Sequence, residues 1–204
     1  MAMTLTPETG AQLSEPSSGD DDAQLAARVA RGDRSAAEAL ILRHQAPVRG
    51  FLRKITGRDD LADDLAQETF LRLLRHAGSY DPRYPMRSWL LTIARRLSIN
   101  LGRRAERKNI ALAEYDTQSP DDGPAQQAAD NDQQRTLRRH LDAALGHLPE
   151  AQRAALVLFH QQGLSIQEVA EVMKVPTGTV KSHLHRGRMA MRNLLGAEPE
   201  VVST

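Results

Sequence analysis

The sequence contains no cysteine, which excludes disulfide bonds and thiolate metal sites and is typical of a reducing compartment. Aromatic residues make up only 3% of the chain, whereas hydrophobic residues make up 40%, so the core must be aliphatic. No run approaches the roughly 20 apolar residues that cross a bilayer. The N-terminal residues also lack the basic-then-apolar order of a signal peptide. These absences favour a cytoplasmic chain of packed helices with no membrane insertion.

The formal net charge is only +1, but this near balance hides long blocks of one sign. Residues 59–68 carry five acids and no base, and residues 95–108 carry six bases and one acid. Residues 109–134 carry six acids and no Lys or Arg, whereas residues 174–192 carry five bases and no acid. Such blocks favour several charged partners, and a set of solvated helix faces is the simpler alternative.

Apolar residues recur at helical spacing in two parts of the chain, without strand-like alternation of useful length. We therefore predict an all-α fold of two small helical domains, over 23–108 and 135–195. Between them, residues 109–134 contain two prolines and a glycine without apolar periodicity, which indicates a flexible acidic linker. Residues 1–22 and 196–204 are predicted tails, the first of them disordered.

Two segments have the spacing of a capping box, in which a Ser and a Glu three residues later satisfy free backbone amides. One begins at Ser35 and the other at Ser165. The second box opens a predicted helix over 165–173, which is followed by a break over 174–177 and a helix over about 178–195. This is the order of a helix-turn-helix, whose second helix enters the major groove of DNA.

This second helix has a predicted apolar stripe and a polar outer face. The inward residues are Val180, Leu184, Met191 and Leu195, with Gly187 allowing a close approach. The outward residues are Thr179, Ser182, His183 and Arg186, flanked by Lys181, His185 and Arg188. Hydroxyl and basic groups bind phosphates and base edges, and Arg186 is the best candidate for a guanine contact. An ordinary helical hairpin with a basic exterior is the alternative.

The pair His183 and His185 does not form a metal site, because side chains two residues apart on a helix point about 200° apart. We predict no metal and no cofactor. A helical enzyme is a further alternative, but no Gly-rich phosphate loop and no nucleophile–base pair stands out.

Three of the seven aromatic residues, Tyr80, Tyr84 and Trp89, lie within ten residues and lead into a basic helix. That helix places on one face Arg96, Asn100, Arg103 and Arg107. Aromatic rings beside a basic stripe can stack unpaired bases and neutralise their backbone. The alternative is that Trp89 belongs to the core and that the arginines are solvated.

The acidic segment also divides into two helix faces. One face holds Asp60, Asp64, Gln67, Glu68 and Leu71. The opposite face holds Ala62, Leu65, Ala66, Thr69 and Leu73. Carboxylates on the polar face would repel phosphates, so we expect this face to meet a basic protein helix.

Three stretches resemble, in order, parts of the extracytoplasmic-function (ECF) group of bacterial RNA polymerase sigma factors, in the sigma-70 family. The acidic core-binding helix of that group resembles DDLADDLAQETFLRLLRH, and its promoter-melting helix resembles RSWLLTIARRLSINLGRR. Its −35-reading domain is similar to LPEAQRAALVLFHQQGLSIQEVAEVMKVPTGTVKSHLHRGR. The resemblance covers about 23–108 and 135–195. It implies a non-catalytic, cytoplasmic initiation factor whose C-terminal domain is a winged-helix-like sigma region 4.

The resemblance implies three sets of contact residues. Core polymerase would be bound by Asp60, Asp64, Gln67, Glu68 and Phe70. The −10 element would be melted and held by Tyr80, Arg87, Ser88, Trp89, Arg96, Asn100 and Arg103. The −35 element would be contacted by Arg153, Gly178, Thr179, Lys181, Ser182, His183, His185 and Arg186. The implied partners are core RNA polymerase (the clamp of its largest subunit, and the flap), promoter DNA and, as a further candidate, an anti-sigma factor.

Three residues depart from the pattern of the group. Arg96 stands where the group usually has Asn in its base pocket, which leaves the preferred −10 base open. His183 stands where Arg is common. Lys174 stands in the turn where Gly is frequent, although Lys tolerates a left-handed backbone poorly.

The main alternative is a two-domain regulator with a response-regulator-type helix-turn-helix, since TVKSHL also occurs in that class. Such a regulator binds DNA as a dimer. It has no need of an acidic helix followed by a Trp- and Arg-bearing helix.

Overall fold

The computed structural model describes residues 21–107 and 132–196, with side chains over 21–103 and 136–196. Within these ranges the chain forms eight α-helices and no strand, which confirms the all-α prediction. The first four are α1 (Asp22–Val29), α2 (Arg34–Thr56), α3 (Asp59–His76) and α4 (Met86–Arg107), with a 3₁₀ turn at Ala77–Ser79. The last four are α5 (Asp132–Gly146), α6 (Glu150–Leu156), α7 (Ile166–Met173) and α8 (Thr177–Gly196). A π-helical turn at Val157–Gln161 continues α6.

Helix α2 is the centre of the N-terminal helical group and packs against α1, α3 and α4. Its side chains Phe51 and Leu52 are fully buried, as are Leu73 of α3 and Leu90 of α4. Burying an aliphatic or phenyl side chain of this size stabilises a fold by about 1.5–3 kcal/mol relative to leaving it exposed. Pro47 lies within α2 and does not end it.

In the C-terminal group, α6 and α8 approach closely at Gly187. A Cβ atom placed on Gly187 would lie 2.9 Å from Cδ1 of Leu156. The predicted role of Gly187 in a close approach is therefore confirmed. Helices α7 and α8 also pack against each other, which completes the helix-turn-helix. It carries no β wing within the described residues.

The predicted apolar stripe of α8 holds over most of the helix. Val180 and Leu184 are buried, and Met191 is partly buried against the same core. The prediction for Leu195 is wrong, because the last turn of α8 lies outside the core and leaves this side chain 37% exposed.

The two predicted capping boxes have different outcomes. The box at Ser165 is confirmed: its amide donates to Glu168 at 2.8 Å, and the Glu168 amide donates to the Ser165 hydroxyl at 3.3 Å. The box at Ser35 is wrong, because Asp33 is the N-cap of α2. The Asp33 carboxylate accepts hydrogen bonds from the amides of Ser35 and Ala36, so the cap lies two residues earlier.

The predicted tails and linker lie mostly outside the described residues. Asp22, at the end of the first predicted tail, opens α1. Helix α5 begins at Asp132, within the range predicted as linker, and α8 ends at Gly196, the first residue of the predicted C-terminal tail. No helix in the described ranges combines the length and hydrophobicity that a bilayer crossing requires.

The two helical groups are in contact. Helix α4 lies against α7, and α2 touches both α5 and α6. An ion pair between Lys54 of α2 and Asp142 of α5 joins the groups at one edge.

Candidate protein-binding and nucleic-acid interfaces

Helix α3 presents the predicted acidic face to solvent. Asp60, Asp64 and Gln67 are exposed, while the opposite face of the helix is buried. Asp60 is paired with Arg58, and this hydrogen bond holds the pKa of the Asp60 carboxyl below its usual range. The face is therefore acidic and open to a partner.

Glu68 lies on the same face and accepts a hydrogen bond of 2.8 Å from Arg72, one helical turn further on. This bond lowers the pKa of the Glu68 carboxyl. Phe70, in contrast, is only 8% exposed and belongs to the hydrophobic core. The Phe70 ring points into the core beneath α3, so in this structure it cannot make the predicted contact with a partner.

An apolar groove that the sequence did not indicate lies beside the acidic face. It encloses about 720 Å³ between the α1–α2 turn and α3, with Val29, Ile41, Leu42 and Leu74 among its lining residues. Leu42 is 61% exposed and Leu74 is 39% exposed, so both leave apolar surface open at the groove. Leu74 lies one turn beyond Leu71, so the groove is continuous with the face predicted for a protein partner.

The aromatic loop before α4 has a defined internal geometry. The Tyr80 hydroxyl donates a hydrogen bond of 2.7 Å to the Tyr84 carbonyl. The rings of Tyr80 and Trp89 lie 5.5 Å apart at an angle of 52°. Both rings are half-buried against the core, so the core alternative for Trp89 holds in part. Part of the pair remains accessible, since neither residue is fully buried.

The outer face of α4 carries Arg96, Asn100 and Arg103, and all three are exposed. The side chain of Arg107, predicted for the same face, lies outside the described side chains. Arg96 and Asn100 are one turn apart, so they can follow a nucleic-acid backbone along the helix.

The exposed face of α8 holds most of the residues predicted for DNA contact. Exposed there are Gly178, Lys181, Ser182, His185, Arg186 and Arg188. Thr179 is half-buried, and the Ser182 hydroxyl donates to the Gly178 carbonyl at 3.0 Å. This surface is basic and extends over about three helical turns, and the major groove of B-DNA is wide enough to admit such a helix.

Two predicted DNA-contact residues lie instead between the two helical groups, and a third is buried. Arg87 donates to Gln162 at 2.7 Å, and Arg153 donates to the Ile55 carbonyl at 2.9 Å. Ser88 is only 4% exposed. The structure therefore does not bring all the predicted DNA residues onto open surfaces.

His183 also faces this junction. Its Nδ1 atom is buried without a hydrogen-bond partner. Burial lowers the pKa of the imidazole, as does the nearby charge of Arg186, while Glu150 raises it and Arg95 lowers it. The neutral ring is therefore favoured in this arrangement.

Arg95, which sequence reasoning missed, lies at the centre of the junction. Its guanidinium donates to the Met173 carbonyl at 3.3 Å and to the Glu150 carboxylate at 3.2 Å. The only signal in the sequence was its place beside Arg96 in a basic block. Nothing in that block distinguishes an arginine that faces solvent from one that faces another domain.

Comparison with known families identifies both helical groups. The family model for Sigma-70 region 2 matches residues 40–108, and the model for Sigma-70, region 4 matches residues 138–191. The chain is 36% identical over 165 residues to the RNA polymerase sigma factor CarQ of Myxococcus xanthus, covering 81% of this chain and 92% of CarQ. It is 35% identical to the ECF RNA polymerase sigma factor SigE of Mycolicibacterium smegmatis, covering 89% of this chain and 70% of SigE. The chain belongs to the ECF sigma factors of the sigma-70 family.

Two solved structures show a similar fold. CnrH, in complex with the cytosolic domain of CnrY, is 26% identical with a TM-score of 0.64, covering 88% of this chain and 100% of CnrH. The sigma factor RpoE of Bartonella quintana, in complex with the anti-sigma factor NepR, is 23% identical with a TM-score of 0.63, covering 79% of this chain and 98% of RpoE. The match of both sigma regions in one chain excludes the two-domain regulator.

Within region 4, the turn of the helix-turn-helix contains the departure noted in the sequence. Lys174 has φ 57° and ψ 46°, and it is the one described residue other than glycine with a positive φ. Its amide donates to the Glu171 carbonyl and closes the C-terminus of α7. The turn keeps the left-handed backbone of a C-cap without the glycine that favours it.

Proposed function

We propose that this ECF sigma factor directs promoter-specific transcription initiation. Region 2 binds core RNA polymerase and opens the −10 element, and region 4 recognises the −35 element. The observation that carries this proposal is the presence, in one chain, of an exposed acidic face on α3 and of separate basic faces on α4 and α8. A protein that met DNA alone would gain nothing from the acidic face.

The acidic face suits a basic helix of core polymerase, for which the resemblance implies the clamp. Asp64 and Gln67 are exposed at its centre, and Asp60 and Glu68 lie on either side. Charges at such a rim steer association and fix register more than they add affinity. The resemblance also implies a contact of region 4 with the flap and a cytoplasmic location.

The −35 element is assigned to the exposed face of α8. Arg186, Lys181 and His185 are exposed on this face. We expect Arg186 to bond a base edge and Lys181 and His185 to bond phosphates. The second helix of a helix-turn-helix enters the major groove in this way.

The −10 element is assigned to the aromatic loop and to the outer face of α4. The tilted ring pair of Tyr80 and Trp89 offers a stacking surface, and Arg96 and Asn100 lie further along the same helix. Stacking holds unpaired bases with little dependence on their sequence, which is what the opening of a duplex requires.

A protein that binds the factor itself is the remaining partner. CnrH was solved in complex with the cytosolic domain of CnrY, and we infer that this chain likewise accepts a protein ligand. An anti-sigma factor is the kind of partner that the resemblance implies.

The decisive experiment is reconstitution with core RNA polymerase from the same host. The chain should form a holoenzyme and start transcription from a promoter that core alone does not use. The double variant Asp64→Lys/Glu68→Lys should keep its fold, because both residues lie on the solvent side of α3, and it should lose core binding in competition with another sigma factor.

The matched control is Glu198→Lys/Glu200→Lys. It makes the same change in net charge, beyond the residues that match region 4. Undiminished core binding by a folded Asp64→Lys/Glu68→Lys chain would contradict the docking face. The absence of promoter-directed initiation by the native chain with its own core would contradict the function.

A further inference from the structure

Helix α1 packs against the segment that leads into the aromatic loop. It contacts α2 and the 3₁₀ turn at Ala77–Ser79, and Tyr80 follows that turn directly. A Cβ atom placed on Gly78 of the turn would lie 3.6 Å from the Cβ atom of Ala30, at the C-terminal end of α1. The match to Sigma-70 region 2 begins at residue 40, so α1 lies outside the residues that the family model covers.

A largely buried hydrogen bond attaches the N-terminal end of α1 to α2. Nε2 of His44, on α2, lies 2.9 Å from a carboxylate oxygen of Asp22, the first residue of α1. The His44 side chain is only 8% exposed, and that of Asp22 is 23% exposed. Asp22 also accepts a hydrogen bond of 2.6 Å from Arg43. The imidazole depends on Asp22, because loss of the bond would leave a buried polar group without this partner.

The first residues of α1 lie near Tyr80. Burial raises the pKa of the Tyr80 phenol, and the charges of Asp22, Asp21 and Asp81 raise it further. Two of these carboxylates belong to the N-terminal end of α1, whereas Asp81 belongs to the loop itself. The bond between Asp22 and His44 therefore holds α1 at the end where the helix comes near the ring.

His44 also lies near the helix that carries Trp89. Burial lowers the pKa of the His44 imidazole, the charge and hydrogen bond of Asp22 raise it, and the charges of Arg43 and Arg87 lower it. Arg87 is the second residue of α4, and Trp89 follows within the first turn. His44 therefore has neighbours both on α1, which comes near Tyr80, and on α4.

The contact between the two rings joins separate elements of the fold. Tyr80 follows the 3₁₀ turn that packs on α1, whereas Trp89 belongs to α4. The hydrogen bond from the Tyr80 hydroxyl to the Tyr84 carbonyl lies within the loop and attaches it to neither α1 nor α2. A displacement of α1 would therefore move Tyr80 relative to Trp89.

We propose that Asp22 and His44 are positioning residues for the −10 element: their hydrogen bond fixes α1, and α1 fixes the 3₁₀ turn that places the Tyr80 ring against Trp89. Neither residue itself contacts DNA. The effect on the ring pair concerns the free chain alone. The effect on promoter opening rests on the proposed function.

Fluorescence of Trp89 tests the effect on the ring pair, because Trp89 is the only tryptophan of the chain. His44→Leu removes the bond to Asp22 but keeps the buried position filled, so urea denaturation should show little loss of stability. The emission should nevertheless shift to longer wavelength, and acrylamide should quench it more strongly, because Tyr80 no longer covers the indole. His44→Gln keeps an N–H donor and should retain the native emission. An unchanged emission in folded His44→Leu would overturn the proposal.

A partner variant and a matched control complete the fluorescence test. Asp22→Ala should also shift the emission, and Asp22→Ala/His44→Leu should shift it no further, since the two residues act as one pair. Arg49→Ala breaks another ion pair of α2, with Asp63 of α3, and should leave the emission unchanged. Additive shifts in the double variant would overturn the pairing. An equal shift in Arg49→Ala would show that any lost ion pair of α2 disturbs the loop, and would overturn the assignment to Asp22 and His44.

Initiation with core RNA polymerase tests the consequence for the −10 element. On a duplex promoter, His44→Leu should lower the rate about tenfold, the change in an equilibrium that loss of one hydrogen bond to a charged group produces. On a template already unpaired at the −10 element, its rate should approach that of the native chain. Equal losses on both templates, or no loss on either, would overturn the role in opening. Failure of the native chain to initiate would remove the proposed function and leave the fluorescence result standing.

Discussion

Gly187 of α8 lies so close to Leu156 of α6 that a Cβ atom would come within 2.9 Å of the leucine Cδ1. Gly50, in the interior of α2, has no atom within 4 Å of the corresponding position. Gly187→Ala should therefore lower the free energy of unfolding by about 1 kcal/mol through overpacking. Gly50→Ala should raise it by about 0.5–1 kcal/mol through helix propensity. Urea denaturation compares the two, and equal shifts of the same sign would show that the contact carries no energy.

The left-handed conformation of Lys174 predicts a stabilising substitution. At φ 57° a side chain costs roughly 1 kcal/mol relative to glycine, so Lys174→Gly should raise the free energy of unfolding by about that amount. Lys174→Ala is the control, since it removes the charge but keeps the Cβ atom. Thermal unfolding should rank the glycine variant above the alanine variant, and the reverse order would contradict the strain.

Arg186 and Lys181 should have different roles on DNA, although both are exposed on α8. Arg186→Ala should cost about 1–3 kcal/mol of binding and relax the sequence preference at one position. Lys181→Ala should weaken all sequences alike and reduce the dependence of affinity on salt. Binding of holoenzyme to native and scrambled −35 sequences distinguishes them. Equal losses on both sequences for Arg186→Ala would refute its base contact.

Loss of the Tyr80–Trp89 ring pair should slow initiation, and a template that is already unpaired at the −10 element should reverse this defect. Tyr80→Ala should slow initiation on duplex DNA, because the stacking surface for unpaired bases is lost. A template already unpaired at the −10 element should restore much of the rate. Tyr80→Phe keeps the ring and loses only the hydrogen bond to Tyr84, so it should be less affected. If the unpaired template does not rescue a folded Tyr80→Ala chain, the loop has another role.

The junction should weaken in acid because of His183. Burial lowers the pKa of its imidazole from 6.5, Arg186 and Arg95 lower it further, and Glu150 raises it. Arg186 and Glu150 belong to the same region as His183, so the closed arrangement binds the proton less well than an open one because of burial and Arg95. The contribution of His183 to closure is therefore fully present above pH 6.5 and is lost as the pH falls through the lowered pKa. With spin labels at His76→Cys in region 2 and Asn193→Cys in region 4, the distance between the labels should lengthen when the pH is taken from 7.5 to 5.5, and less so when His183→Gln is also present. An identical pH response in the two chains would exclude His183 as the cause.

Local patterns in the sequence predicted the parts of the fold that local chemistry determines. The two faces of α3, the capping box at Ser165 and the close approach at Gly187 all follow from helical spacing and side-chain size. The N-cap of α2 was missed because Asp33 and Ser35 are both good caps and only the backbone geometry decides between them. Local spacing thus gives the faces of a helix more reliably than its first residue.

The candidate sites were predicted less completely, because contacts between distant segments decide their exposure. Phe70 follows the acidic face in sequence but turns into the core. Arginine is a common residue type in DNA contacts. Arg87 and Arg153, however, both donate hydrogen bonds across the junction between the regions. Arg95 is indistinguishable from Arg96 in the sequence, and only the packing of α7 on α4 separates their roles.

Two carboxylates on the acidic face of α3 are already paired with arginines of the same chain. Asp60 is held by Arg58 and Glu68 by Arg72, so two of its carboxylates are already bonded before any partner arrives. A basic helix that docks there must exchange these internal bonds for external ones, and the net gain per contact is smaller than the raw attraction between the charges. Docking by exchange therefore favours an interface that forms quickly and also releases.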